Sequence, residues 1–208
     1  MSHKYQIDDL LDAAVHRLKE VFTQSFDVWV KNDGFNKSTL QIERHNAIEA
    51  LNLFRILGRP EMAVSAMYVC CLLDPEVMVK GSSRADGTPE TLHLDDIVLC
   101  VEMRRRLDEL NVAFWLKLTE PIAGCNQTPA RACADTIVNG LSRKMRVTPG
   151  IYMRGGSLSE TLRKLWGWDM CMVCKDPLVA RILRLQRDVW VELPNAIDLI
   201  LSDWDTVE

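Results

Sequence analysis

No apolar run in this chain approaches the ~20 residues that a helix needs to cross a bilayer. The N-terminus lacks the basic-then-apolar order of a secretion signal. The P-loop, the nucleophile elbow, the His-Glu-x-x-His pattern and the dinucleotide fingerprint are all missing, which removes the enzyme classes that announce themselves by short motifs. Histidine is scarce, with 4 in 208 residues, and no second His stands at the four-residue spacing of a helical metal site. Stretches that alternate apolar and polar residues between turn signals are lacking too, so no strand is predicted. A net charge of −4 makes no general case for nucleic acid.

What is present suits a globular chain. Hydrophobic residues make up 48% and charged ones 26%, enough to build a core and still solvate a surface. The length allows one large domain or two small ones, and we divide it into 1–124 and 125–208. The 7 cysteines are odd in number and no secretion signal accompanies them, so a reducing intracellular compartment, cytoplasm or nucleus, is expected. Charge is uneven: residues 1–124 carry 14 bases against 19 acids, and residues 125–208 carry 11 against 10. Arg131, Arg143, Lys144, Arg146, Arg154, Arg163 and Lys164 make one locally basic stretch, read as a solvated surface or as a contact for phosphates or an acidic partner.

Periodicity predicts an all-α chain, either a multi-helix bundle or stacked helix pairs. Over residues 5–22, Tyr5, Ile7, Leu10, Leu11, Ala14, Val15, Leu18, Val21 and Phe22 recur at the spacing of one helix face. Asp8, Asp9 and Asp12 come early and Arg17 and Lys19 late, the order that complements the helix dipole. This face needs a partner, either the helices of residues 41–73 or another chain. Residues 23–40 read as a connection with Phe26 and Trp29 tucked back.

A helix over 41–57 should end at Gly58, with Pro60 in the first turn of the next. Residues 62–73 are apolar almost all round and should be the buried centre. Asp74-Pro75 should close that helix, leaving Val77 to Val79 as a short apolar piece of unassigned type, and Asp86-Gly87 signals a turn. Asp95 and Asp96 should open the longest helix, running to about Leu118. Its core face is predicted as Ile97, Val98, Val101, Leu107, Leu110, Phe114, Trp115 and Leu118, with Arg104-Arg105-Arg106 on solvent. Further helices are expected over 130–144, over 157–166 with Ser157 as its cap, and over 170–193, with Pro194 starting a short terminal one.

Several of these stretches resemble a family. Tyr5, Ile7, Leu10, Ala14 and Leu18 look like the last helix of BTB/POZ domains. Ala47-Ile48-Glu49-Ala50-Leu51, Leu57-Gly58-Arg59-Pro60-Glu61-Met62, Arg84-Ala85-Asp86-Gly87-Thr88-Pro89-Glu90 and Trp190-Val191-Glu192-Leu193-Pro194 resemble, in order, the region after the BTB domain in fungal BTB/POZ proteins. The resemblance implies a BACK-like helical region that presents surfaces to other proteins. It also implies that the BTB core, which would precede this chain in a longer protein, is missing from it. Cullin binding belongs mainly to that core and is not carried over. The 5–22 helix offers a face for self-association instead, where it does not repack on residues 41–73.

Chemistry concentrates in Cys125, Cys133, Cys171 and Cys174. Cys171-x-x-Cys174 is half of a zinc knuckle, since two thiolates at that spacing can face one metal from one turn. Cys125 and Cys133 have seven residues between them, wider than usual, and converge only if the loop folds back. The resemblance implies that the two pairs occur together. The readings are structural zinc, buried free thiols, or redox chemistry. Cys70, Cys71 and Cys100 read as core, His45 and His93 as surface or capping residues. Asp8/Asp9 and Asp95/Asp96 are explained by the helix dipole. Arg154-Gly155-Gly156-Ser157 resembles an anion-binding turn, without the strand and lysine of a nucleotide site, and Trp166 and Trp168 should pack a C-terminal core. The function expected is a non-enzymatic protein–protein interaction module. The alternative is a zinc-stabilised regulatory or nucleic-acid-binding module.

Overall fold

The computed structural model describes residues 2–34, 40, 42–125, 132–147 and 169–205, the side chains of 2–8, 141 and 143–147 excepted. The expected helix over 157–166, Trp166 and Trp168, the Arg154-Gly155-Gly156-Ser157 turn and most of the basic stretch lie outside these. Within them are eight α-helices: α1 (Ser2–Lys19), α2 (Phe26–Lys31), α3 (Asn46–Leu57), α4 (Pro60–Cys70), α5 (Pro75–Lys80), α6 (Leu94–Leu118), α7 (Ala132–Val147) and α8 (Met172–Glu192). A 3-10 turn, Asn195–Ile197, follows. The class is all-α, with one two-residue antiparallel pair, β1 (Ser82–Ser83) and β2 (Pro89–Glu90). Among the described residues no helix is long and apolar enough to cross a membrane.

The centre is the α3–α4 hairpin. Gly58 takes the left-handed conformation (φ 62°) that ends α3, and the Arg59 N–H bonds back to the Phe54 carbonyl. Pro60, which has no N–H to leave unpaired, starts α4. From Met62 to Cys70 every α4 side chain is buried, including Ser65, whose hydroxyl donates to the Met62 carbonyl. A helix apolar all round can sit only inside its neighbours.

Three expectations change. Residues 23–40 contain a helix, α2, capped by Ser25, and its Phe26 and Trp29 are buried as expected. Asp74-Pro75 does not merely stop α4: Asp74 caps α5, accepting from the Glu76 N–H, with Pro75 at its first position. Across the Asp86-Gly87 turn, the Arg84 N–H bonds to the Thr88 carbonyl and closes the small strand pair.

The longest helix runs as predicted, but its core face is Asp96, Cys100, Met103, Leu107, Asn111, Phe114, Trp115 and Leu118. Val98 and Val101 face outward. The Arg triplet is not one solvated face either. Arg104 donates to the carbonyls of Cys71 and Leu73 at the end of α4 (2.9 and 2.7 Å), and Arg106 to the Asn195 carbonyl (2.8 Å). Only Arg105 stays outside, paired with Glu102 and Glu109.

Trp190, near the end of α8, joins the two ends of the chain. Its ring lies 5.0 Å from Trp29, 6.0 Å from Tyr68 and 5.5 Å from Trp204, and its Nε1–H donates to the Gln24 carbonyl. By contrast the described side chains of α1, residues 9–19, are exposed except for Val15 and Leu18, which pack partly against the core. Val21 and Phe22 are buried, Phe22 against Phe54, while Leu10, Leu11 and Ala14 are exposed. Of the expected repacking of this face on residues 41–73, the described residues show the contact of Phe22 with Phe54, just past the helix; Tyr5 and Ile7 lie outside the described side chains.

Candidate metal centre

Three segments bring the four predicted cysteines to one place. α6 ends at Leu118, capped by Thr119, and Gly124, at φ 78°, turns the chain into Cys125. Cys133 sits in the first turn of α7. Cys171 is the N-cap of α8, in extended conformation, and its carbonyl accepts from the N–H groups of Cys174 and Lys175. One helical turn thus carries the sulfurs of Cys171 and Cys174 to the same side. Thr136 adds a tie, its hydroxyl reaching the Ala132 and Asp169 carbonyls.

The Cys133 and Cys171 sulfurs are 3.7 Å apart and those of Cys125 and Cys171 4.0 Å. All four lie within 4.8 Å of one another. A tetrahedron of sulfurs about 2.3 Å from a central ion has edges of about 3.8 Å, so the cage has the right size. Cys133 and Cys174 are buried and Cys125 and Cys171 half-buried, which leaves one side of the cage near the surface. Burial pushes the Cys133 and Cys174 thiols above their ordinary range, an effect that a cation opposes by favouring the thiolates. The Cys171 backbone N–H points at the Cys133 sulfur (3.4 Å), and the helix start at Cys171 also favours negative charge.

Four soft donors with no carboxylate or imidazole suit zinc or iron, not magnesium or calcium. Four protein ligands fill a tetrahedral shell and leave no position for a substrate or an activated water, the arrangement of a structural site. Among the described residues this is the only group of three or more Cys, His, Asp or Glu side chains placed to hold a metal.

The other candidates have structural partners. Cys70, Cys71 and Cys100 are core residues, and the Cys71 thiol donates to the Cys100 carbonyl. His93 caps α6, its Nδ1 accepting from the Asp95 N–H, and His45 precedes α3 without a side-chain cap. Asp96 is more than a helix-dipole acid: it is buried and ion-paired with Arg55 at 2.5 Å. Glu90, also buried, binds Arg84 and Asn52 and so fastens the strand pair to α3. A groove of about 680 Å³ opens beside His16, Lys19, Asp27 and Asp205, but Asp205 is engaged there by Arg187 and the Phe26 N–H.

Sequence reasoning missed the carbonyl-capping Arg104 and the Asp96–Arg55 pair. Both link positions more than 30 residues apart, and no local pattern marks them. Comparison of the chain with family models, with curated proteins and with solved structures found no match.

Proposed function

We propose that this chain is a non-enzymatic helical protein–protein interaction module, clamped at its C-terminal end by one structural zinc ion on Cys125, Cys133, Cys171 and Cys174. The observation that carries the reading is the convergence of four sulfurs, from three separate segments, to within 4.8 Å of one another. A zinc ion there ties the end of α6, the start of α7 and the start of α8 together, and contributes its binding free energy to folding. Support for the non-enzymatic part comes from three of the buried polar groups. Asp96, Glu90 and Ser65 each bond a structural neighbour instead of lining a common cleft. The resemblance to the helical region that follows a BTB domain points the same way.

Metal analysis of protein purified without chelator tests the reading. About one zinc per chain is expected, with four thiols shielded until a mercurial releases the ion. Zinc near zero, with those four thiols reacting at once, overturns it. Iron in place of zinc, seen as visible sulfur-to-iron absorption, replaces the metal and keeps the clamp.

A further inference from the structure

The long helix α6 has two apolar stripes on opposite sides, and the fold uses one. On the outer side Val98 is 60% exposed, Val101 54%, Val112 59% and Leu116 67%, with Leu94 exposed beyond them. Positions 94, 98, 101, 105, 108 and 112 step by four and three residues, the seam of a two-helix coil. A stripe of this kind runs about 33 Å along the helix. Isolated exposed apolar residues are ordinary, but a line of them along one helix marks a contact surface.

The order of residues along the stripe says what covers it. From the N-terminal end it reads apolar (Val98, Val101), then basic (Arg105), then acidic (Asp108, Glu109), then apolar again (Val112, Leu116). Turned end over end about a point near residue 107, the stripe matches itself. Val98 meets Leu116, Val101 meets Val112, and Arg105 meets Glu109. A surface complementary to its own reversed copy is the requirement for a two-fold interface. In the single chain Arg105 already pairs with Glu102 and Glu109. Across the two-fold the guanidinium keeps Glu102 and exchanges its own Glu109 for the one opposite, so Arg105 and both glutamates stay paired.

We infer that the outer face of α6 binds a second copy of this chain, helix against antiparallel helix, with Arg105 and Glu109 crossing at the centre. The interface is independent of the zinc reading: a monomer holding one zinc would sink this inference alone.

Sedimentation equilibrium of the full chain over about 1–100 µM, the range expected for a contact smaller than a standard interface, should show a monomer–dimer equilibrium. Val101→Glu and Val112→Glu, both at exposed positions, should each weaken the dimer at least tenfold and leave helical content unchanged, and the melting temperature unchanged at dilutions where the parent chain is monomeric. A mixture of Val101→Cys and Val112→Cys chains should cross-link to each other under mild oxidation, 101 to 112. A strict monomer throughout overturns the inference. So does a dimer that survives both glutamates but is lost on Leu11→Glu in α1, or a cross-link of 101 to 101, which would mean parallel helices.

Discussion

The indole N–H of Trp204 donates to the main-chain carbonyl of Trp190 at 2.7 Å, and the two rings stack with centroids 5.5 Å apart. This pair fastens the last described turn of the chain over the aromatic group of Phe26, Trp29 and Tyr68. Replacing Trp204 by Ala removes a nearly buried indole and should cost about 3 kcal/mol in urea unfolding. Trp204→Phe keeps a ring and loses the hydrogen bond, so its cost should be nearer 1 kcal/mol. Equal costs for the two would mean that the stacking contributes little.

Removing metal should loosen the C-terminal end. If free zinc stands about 1,000-fold above its dissociation constant, binding adds about 4 kcal/mol, or roughly 8–16 °C in melting temperature for a chain of this size. A strong chelator should lower the melting point by that order, and Cys174→Ser should reproduce the shift while reducing bound zinc. Scanning calorimetry with and without chelator measures it.

Asn111 lies on the core face of α6, and its buried Oδ1 has no hydrogen-bond partner among the described residues. An orphaned buried acceptor carries its desolvation cost with no return. Asn111→Leu, close in shape, should therefore stabilise the fold by about 1 kcal/mol, visible as a melting point raised by a few degrees. A lower melting point would show that the amide has a role in the folded state that an apolar side chain cannot take.

Glu102 titrates far below an ordinary glutamate. Hydrogen bonds from Arg105, and next from Arg106, lower its pKa from 4.5 to about 2. Because the folded value lies below the unfolded one, this contact supports the fold above pH 4.5 and is lost as pH falls through about 2. A carboxyl-carbon titration by NMR should find the midpoint near the lower value. Arg105→Ala with Arg106→Ala should return it to the ordinary range.

How much of this was legible depended on whether the deciding contact was local. Gly58-Arg59-Pro60 and the apolar run of α4 are set by nearest neighbours along the chain, and the sequence predicts them correctly; of the two roles it leaves open for His93, surface or cap, the structure shows the cap. Asp74-Pro75 carries a stop and a start at once, and only the six-residue α5 shows that the start wins. On α6 the period reveals a helix but not which of two opposite apolar stripes turns inward. Neighbouring helices decide that, so Val98 and Val101 were assigned to the wrong side. The cysteines were identifiable by type and pairing. That Cys125 and Cys133 approach Cys171, 46 and 38 residues away, is a property of the folded chain alone.

Helix α8 is about 30 Å long, with Cys171 and Cys174 of the four-sulfur group at one end and Trp190 of the indole cluster at the other. Its one internal proline, Pro177, lacks the N–H that would bond to the carbonyl of Val173, so its weakest joint lies a single turn from the cage. With zinc bound as proposed, α8 would act as a beam with two anchors and a soft point beside one of them. Letting go at the sulfur end would leave most of the rod seated and swing only its first turn, carrying the exposed Met172 and Val173 with it.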